Sequence, residues 1–279
     1  PLYQDAASAE FVFPIVNADV GFAIVEDQEQ VDKLLEIRDK CPLLTRIWYD
    51  DPRGLRNYSE PGLTALDALI ESGRSHAQAN PGFFDAEVAK GAPQDMAAMF
   101  FTSGTTGNPK GVVHTHFTLL DRAKAGADFD KLTASEEVLA YLPPAWIGQN
   151  IFSYAQWLAC GYVVNCPESA ATVTIDLKEI GPTYYFAPPR VFEGLLTSVM
   201  IRMEDASALK RKMFHYFMDI ARKVGPKKMD GKEVGFGDNL MYALGNLCVY
   251  GPLRNTLGFS RVRVAYTAAR EVSSDVMVE

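Results

Sequence analysis

The residues best suited to bind a phosphate group lie close together near the middle of the chain, in TSGTTGNPK at 102–110. Four of them carry hydroxyl groups, Thr102, Ser103, Thr105 and Thr106. Glycines at Gly104, Gly107 and Gly111 allow the backbone to turn sharply, so that several N–H groups converge on one point. Lys110 adds a positive charge on a flexible stem that can follow a phosphate. The stretch therefore predicts an anion-binding loop.

Two other interpretations of this stretch explain less. A Walker A loop requires Gly before its lysine and Ser or Thr after it, whereas Pro109 and Gly111 occupy those positions here. A simple flexible turn between strands accounts for Gly, Asn and Pro. It does not account for four hydroxyl groups and a lysine in the same segment.

Strands are expected on both sides of the loop. MAAMFF at 96–101 is predicted to be a buried strand that holds one end, and GVVHT at 111–115 is β-branched and strand-like. Because no helix follows Lys110 directly, no helix N-terminus is expected to face the anion. Loop backbone and side chains must then hold the anion by themselves.

Strand and helix patterns alternate along the rest of the chain, which predicts an α/β fold. A strand at 20–26, a helix with Asp27 as N-cap and a strand at 43–50 have the length of a parallel βαβ unit. Residues 51–95 are predicted to be loops around one helix near 62–76. Beyond the glycine-rich loop we predict strands at 137–142, 162–167 and 183–188, and helices at 150–160 and 174–181.

Two apolar stripes predict packing helices in the last third of the chain. The first runs from Val191 to Met203, behind Pro188 and Pro189, which suit a first helical turn. The second is expected to stop at Gly225 and Pro226. Its members are Leu209, Met213, Phe217, Ile220 and Ala221.

Charge and cysteine content exclude several classes of function. With 27 Lys and Arg against 35 Asp and Glu, the formal net charge is −8, which argues against nucleic acid as the main partner. The four cysteines contain no CxxC pair and are interpreted as buried, reduced thiols.

The N-terminus lacks the basic start and apolar core of a signal peptide, so we expect a cytoplasmic protein.

Two segments raise the question of whether the protein spans or contacts a membrane. Residues 138–167 contain no charged residue, but their prolines, glycines and amides argue for buried strands and a helix and against a spanning helix. Residues 202–232 contain nine Lys or Arg and four Asp or Glu, a local excess of five positive charges. A solvated helical face is the main interpretation, and peripheral contact with anionic lipid is the weaker hypothesis.

Several segments together indicate a family. TSGTTGNPKGVVHTH at 102–116 resembles the phosphate-loop signature of the AMP-forming adenylate enzymes, which include acyl-CoA synthetases, peptide synthetase adenylation domains and luciferases. LPPAWIGQN at 142–150 is similar to that family's LP-x-x-H or aromatic segment. FAPPRVFEGLL at 186–196 resembles the V-P-R-V-[FW]-E stretch of long-chain fatty acyl-CoA synthetases. The resemblance implies an α/β fold of mainly parallel sheets flanked by helices.

The resemblance also implies a reaction and roles for residues. A fatty acid would be joined to AMP at the expense of ATP, with Mg²⁺ present, and the acyl group would then pass to CoA. The loop residues Ser103, Gly104, Thr105, Thr106 and Gly107 would wrap the β- and γ-phosphates with Thr102. Thr102 would also approach Mg²⁺, and Lys110 would steady the departing pyrophosphate. Trp146 would form a gate or wall of the acyl pocket, with ordinary core packing as the equal alternative. His114 and His116 are not expected to act as bases, because a carboxylate is already ionised at neutral pH.

The sequence also departs from the family pattern. It stops before the positions where relatives carry Y-G-x-T-E and T-G-D, so we expect residues 1–279 to be a partial N-terminal AMP-binding domain. The C-terminal part of the adenylation domain and the small lid domain are then outside it, and the chain is expected to be inactive alone. The altered segment Ala268 to Val272 puts Arg270 near the expected adenine site. Two alternatives stay open: a non-catalytic nucleotide-binding module, and an acyl-AMP ligase that loads a carrier protein.

Overall fold

The computed structural model describes residues 1–102 and 109–267. The chain forms two compact units. The first contains Pro1–Arg122 and Pro143–Ile151, and the second contains Ala123–Leu142 and the chain from Phe152 onwards. The division falls inside helix α5 (His116–Asp130).

The first unit contains the predicted βαβ arrangement, which is confirmed. Strand β1 (Phe22–Val25) pairs in parallel with β2 (Arg46–Tyr49), and helix α2 (Gln28–Glu36) connects them. The Asp27 carboxylate accepts a hydrogen bond from the backbone N–H of Gln30 at 3.2 Å, as expected of an N-cap. The core of this part lies between helix α1 (Ser8–Asn17), α2 and β2. It consists of Phe11, Ile15, Leu34, Ile37, Cys41, Leu44 and Ile47.

The prediction for residues 51–95 was wrong in part. Strand β3 (Leu63–Ala65) continues the parallel sheet in the order β1-β2-β3, and two helices follow, α3 (Leu66–Ala79) and α4 (Phe83–Val88). Strand β3 has only three residues, which is too few for its side chains to show an alternating apolar and polar pattern. Backbone pairing with β2 holds it in the sheet. Gly82, with a φ of 80°, turns the chain into the second helix.

The first unit also contains a separate β-hairpin, of strands β4 (Met96–Thr102) and β5 (Lys110–Thr115). Both strands were predicted. Only Phe100 of β4 is buried, so the expectation of a fully buried strand was wrong. The short helix α6 (Ile147–Asn150) belongs to the same unit.

In the second unit, two parallel strand pairs are surrounded by helices. Strand β6 (Glu137–Leu139) pairs with β7 (Val163–Asn165), and β8 (Tyr184–Phe186) pairs with β9 (Val264–Tyr266). All three residues of β8 are buried. Together with the first unit, these mainly parallel sheets and flanking helices confirm the predicted α/β fold class. The helices are α7 (Gln156–Cys160), α8 (Val173–Ile180), α9 (Pro189–Glu204), α10 (Ala208–Met229), α11 (Phe236–Gly245) and α12 (Gly251–Leu257).

Helix α10 corrects the prediction of where the second apolar stripe lies and where it stops. The helix continues through Gly225 and Pro226 to Met229. Its buried residues are Phe214, Phe217, Met218, Ala221 and Val224, whereas Leu209 and Met213 are exposed. Burial along this face continues to Val224, one residue before Gly225. We attribute the uninterrupted helix to that packing, which offsets a proline penalty of about 3 kcal/mol.

The uncharged segment 138–167 is divided among short elements. It contains parts of β6 and β7, the helices α6 and α7, and a π-helical turn at Ile151–Ala155. Gly161, with a φ of 73°, ends α7 as predicted. Among the residues the structure describes, no helix combines the length and apolarity needed to cross a bilayer.

The cysteines are less uniformly buried than predicted. Cys41 is 1% exposed and lies in the core of the first unit, and Cys160 is half-buried. Cys166 and Cys248 are exposed, which contradicts the expectation for those two residues. All four are free thiols.

The free energy of unfolding is expected to fall as the pH rises from about 10 to about 12. Burial raises the pKa of Tyr250 to about 12 and that of Tyr184 further, whereas an unfolded tyrosine ionises near pH 10. Over this interval the unfolded state loses protons that the folded state retains, so alkali favours unfolding. Thermal unfolding at stepwise pH tests this, and Tyr250→Phe should flatten the decline. A constant midpoint across the interval would contradict the prediction.

Candidate phosphate-binding site

The β4–β5 hairpin brings Thr102 and Lys110 to the two ends of the glycine-rich segment. The strands are antiparallel, and their register pairs Phe100 with Val112, Phe101 with Gly111, and Thr102 with Lys110. The Thr102 hydroxyl donates to the backbone oxygen of Lys110 at 3.4 Å. These two predicted site residues therefore lie opposite each other at the loop end of the hairpin.

Apolar contacts hold the hairpin on the rest of the first unit. Phe100 is 4% exposed, and the ring of Phe101 meets that of Phe13 edge-on at 6.3 Å between centroids. At Gly111 a Cβ atom would lie 2.8 Å from the sulfur of Met99, so a larger residue would displace that side chain. Gly111 thus has a packing role in β5 in addition to its place in the motif.

Thr102 and Lys110 are both exposed. Within residues 1–102 and 109–267, Lys110 takes part in no ion pair. Its charge is therefore available to an anionic ligand. The other predicted loop residues, Ser103, Gly104, Thr105, Thr106 and Gly107, lie outside the described residues.

Helix α5 does not direct its N-terminus at the loop. It begins at His116, after β5, and Thr115 caps it by accepting from the N–H of Thr118 at 3.1 Å. The length of β5, roughly 17 Å, separates that cap from Lys110. Helix α5 therefore begins at the end of β5 that is remote from Lys110. His114 lies in β5 with its ring against Phe100 at 5.8 Å.

Trp146 lies at the start of α6, in a segment tied together by hydrogen bonds. Its N–H donates to the oxygen of Pro143 at 3.0 Å, and Asn150 donates from its side chain to the oxygens of Pro144 and Trp146. The indole is half-buried. Its proposed role at an acyl pocket stays a prediction.

An apolar cavity of about 500 Å³ lies beside the hairpin. Met99 and Phe101 of β4 line it together with residues of α1, β1 and α2. Pro144 also lines this cavity, but Trp146 does not. Strand β4 thus contributes Met99 and Phe101 to an apolar cavity, and its last residue, Thr102, lies at the loop end of the hairpin.

The described residues supply little for a metal ion. They contain no group of three or more His, Cys, Asp or Glu side chains placed to hold one. Thr102 offers a single hydroxyl oxygen, whereas Mg²⁺ takes six oxygen ligands, usually with carboxylates and substrate phosphates among them. Thr102 alone does not fit as a resident metal site.

A comparison with models of protein families identifies the family of the whole chain. The family model described as AMP-binding enzyme matches residues 1–278. The chain belongs to the AMP-binding enzyme family. That assignment confirms the resemblance drawn from the glycine-rich motif.

The chain is similar to many curated proteins. It is 26% identical over 270 residues to the long-chain-fatty-acid–CoA ligase ACSBG2 of Xenopus laevis, covering 94% of this chain and 35% of that protein. It is 29% identical over 228 residues to the putative fatty-acid–CoA ligase fadD11 of Mycobacterium tuberculosis, covering 80% and 38%. The chain therefore spans between about a third and two fifths of the length of these relatives.

Solved structures show the shared fold. The A domain of a carboxylic acid reductase from Segniliparus rugosus matches with a TM-score of 0.59 at 15% identity, covering 99% of this chain and 41% of that one. The long-chain-fatty-acid-CoA ligase FadD1 of Archaeoglobus fulgidus matches with a TM-score of 0.54 at 17% identity, covering 74% and 37%. The chain thus shares the fold of the matching part of adenylation domains.

The structure adds a polar cluster that the sequence analysis did not single out. In the second unit, the carboxylate of Glu136 binds Arg263 at 2.6 Å and accepts from the Thr183 hydroxyl at 2.6 Å. Tyr266 donates to Asp130 at 2.9 Å. Arg263 precedes β9 and Tyr266 ends it, so the cluster anchors the strand that leads into Ala268 to Val272. Its members are up to 136 positions apart, and no local pattern in the sequence connects them.

Proposed function

We propose that the full-length protein to which this chain belongs activates a long-chain fatty acid with ATP and transfers the acyl group to CoA. The observation that carries the proposal is the hairpin that sets Thr102 and Lys110 opposite each other across a hydroxyl-rich segment. Membership of the AMP-binding family and the names of the curated relatives support it. The fatty acid, ATP and CoA are the substrates.

The first step is attack of a carboxylate oxygen of the fatty acid on the α-phosphorus of ATP. A bond forms between that oxygen and phosphorus, the α–β phosphoanhydride bond breaks, and pyrophosphate leaves. In the second step the thiol of CoA attacks the acyl carbonyl carbon, and AMP leaves as the thioester forms. Negative charge gathers on phosphate oxygens in the first step, so fixed donors around them lower its barrier.

The residues of this chain have distinct roles in the proposal. Lys110 binds the oxygens of the departing pyrophosphate, and the segment from Thr102 to Gly107 surrounds the β- and γ-phosphates. Any Mg²⁺ would arrive with the nucleotide, because Thr102 could contribute only one of its ligands. Trp146 borders the acyl group.

The same proposal assigns residues 1–279 to the N-terminal part of an adenylation domain. The rest of that domain and a small lid domain would be needed for turnover, so the 279-residue chain alone is proposed to be inactive. The reductase domain from Segniliparus rugosus, described in complex with AMP and a carboxylic acid, supports the pairing of an acid with AMP in this fold.

Acid-dependent release of pyrophosphate tests the activity. The full-length protein that contains this chain, supplied with ATP, Mg²⁺ and fatty acids of graded length, is expected to release pyrophosphate fastest with the long acids. Trapping the acyl product on CoA, and not on a carrier protein, would support the proposed acceptor. No release with any acid, combined with calorimetric binding of ATP, would instead support a non-catalytic nucleotide-binding module.

A further inference from the structure

A second apolar cavity, of about 330 Å³, lies in the second unit between strand β8 and the helices α9, α10 and α12. Members of two apolar core clusters line it. Protein interiors contain few voids larger than a water molecule, and an unfilled apolar cavity destabilises a fold in proportion to its volume. Ligand sites typically have volumes of about 300 to 1000 Å³, so this cavity has the size of a binding site. Its lining includes Tyr185, Val199, Phe214, Met218, Leu253 and Leu257.

The cavity lies on one face of β8, and an aromatic cluster lies on the other. Tyr185 lines the cavity. Its neighbours Tyr184 and Phe186 point to the opposite face, where their rings meet that of Phe152 at 5.6 and 4.2 Å between centroids. None of the residues assigned above to the nucleotide or to the acyl group lines the cavity.

One positive charge borders this apolar space. Among the described residues that line the cavity, Arg254 of α12 is the one with a charged side chain. Its guanidinium group donates to the Oδ1 atom of Asn246, a neutral partner, and it forms no ion pair in the part of the chain that the structure describes. Arg254 is exposed, whereas Val199, Phe214 and Met218 are buried. The cavity therefore has an apolar interior and an uncompensated cation where it meets solvent.

We propose that this cavity, called here the α12 cavity, binds a fatty-acid-like anion with an unbranched alkyl tail and a terminal carboxylate. The tail fills the apolar interior, and Arg254 binds the carboxylate through two parallel hydrogen bonds. The hydroxyl of Tyr185 is already hydrogen-bonded to that of Tyr141 at 3.2 Å, so the lining side chains favour a tail without polar groups. A cationic amphiphile would be repelled by Arg254. The proposal does not rest on the reaction proposed above.

Photolabelling of the full-length protein tests where the ligand binds. The probe is decanoic acid with a diazirine near its methyl end. Peptide mass spectrometry is expected to find the label on residues of α9, α10 and α12 that line the α12 cavity, and unlabelled decanoate should displace it. Because the label is read at these peptides alone, fatty acid bound elsewhere in the protein does not affect the result.

A pair of arginine variants tests the charged end of the site. Arg254→Met should weaken probe binding at these peptides by about tenfold to a hundredfold, because hydrogen bonds to a charged group are lost. Arg202→Met, which changes an exposed arginine of α9 outside the cavity lining, is the control and should label like the parent. Decanol has the same tail without the charge. It should compete less well than decanoate in the parent, and about equally well in Arg254→Met.

A change at Ala265 tests the position of the tail. Ala265 of β9 lines the cavity and is paired with Tyr185, so both side chains lie on the same face of the sheet. Ala265→Leu should fill part of the cavity and weaken labelling by about tenfold or more, since each methylene group kept out of an apolar site costs about fourfold in affinity. Ala265→Ser, which adds little volume, is the control and should label like the parent.

Four results would overturn the proposal, each obtained with protein that circular dichroism shows to be folded. The first is no displaceable label on the lining peptides of the parent, as expected if the protein's own side chains fill the α12 cavity. The second is equal loss of label in Arg254→Met and Arg202→Met. The third is competition by decanol as strong as that by decanoate in the parent. The fourth is equal labelling of Ala265→Leu and Ala265→Ser.

The labelling does not require turnover, so it separates this proposal from the proposed reaction. A protein that releases no pyrophosphate and still shows displaceable label at the α12 cavity would support the site alone. Arg254→Met should keep acid-dependent pyrophosphate release within about twofold of the parent, since Arg254 has no assigned role in that reaction.

Discussion

Replacing Lys110 by methionine is expected to slow acid-dependent pyrophosphate release by the full-length protein by about a hundred- to a thousandfold. Lys110 ends the hairpin opposite Thr102, and its charge is not neutralised by any ion pair among the described residues. Methionine keeps a similar length of apolar stem but removes the ammonium group. The transition state, in which negative charge gathers on the phosphate oxygens, then loses a donor that the ground state needs less.

The measurement is the rate of pyrophosphate release at saturating fatty acid over a range of ATP concentrations. Lys124→Met, which changes an exposed lysine of α5, is the matched control and should stay within about twofold of the parent. A Lys110→Met protein that is folded and releases pyrophosphate at the parent rate would remove this lysine from the phosphate site. The family assignment would be unaffected, because it rests on the whole chain.

Replacing Arg263 by methionine is expected to lower the free energy of unfolding by about 3 kcal/mol. The change leaves the Glu136 carboxylate, whose side chain is 6% exposed, with the Thr183 hydroxyl as its remaining side-chain partner among the described residues. Arg263 also donates to the backbone oxygen of Asp130 at 2.8 Å, near the end of α5. Removing one partner of a buried ion pair leaves a charge that water cannot reach, which is the costly part.

Replacing Glu136 should lower the free energy of unfolding less than replacing Arg263 does. Comparing the two variants tests the effect of burial more sharply than either variant alone. Glu136→Gln leaves Arg263, whose side chain is 43% exposed and can be hydrated, so its cost should be smaller, about 1 kcal/mol. Arg211→Met removes the exposed pair with Glu204 at 3.5 Å and should cost between about 0 and 1 kcal/mol. Urea unfolding of the three variants measures the order. Equal costs for Arg263→Met and Arg211→Met would show that burial of Glu136 does not matter.

The sequence predicted the two strands that flank the candidate site, whereas the binding roles of the site residues stay predictions. Thr102 and Lys110 flank one segment of glycines and hydroxyl residues, and strand patterns lie on both sides. The structure bears out the two strands and adds their antiparallel pairing, with Thr102 opposite Lys110. The geometry of Ser103 to Gly107 stays a prediction, as does the role of Trp146.

By itself, the sequence determined the elements whose signals are local. The cap at Asp27, the strands β1, β2, β4 and β5, and the family motif all depend on residues within one turn or one strand of each other. Neighbouring side chains report such features directly, through periodicity, capping groups and turn residues.

Only the tertiary structure decided the features that depend on distant partners. Strand β3 exists because its backbone pairs with β2, α10 continues through Pro226 beside a face buried up to Val224, and Glu136 meets Arg263 across 127 positions. Each of these balances a local cost against burial or pairing supplied from elsewhere in the chain. The neighbouring sequence shows the local free-energy cost of each feature. The contact that offsets this cost forms only when the chain folds.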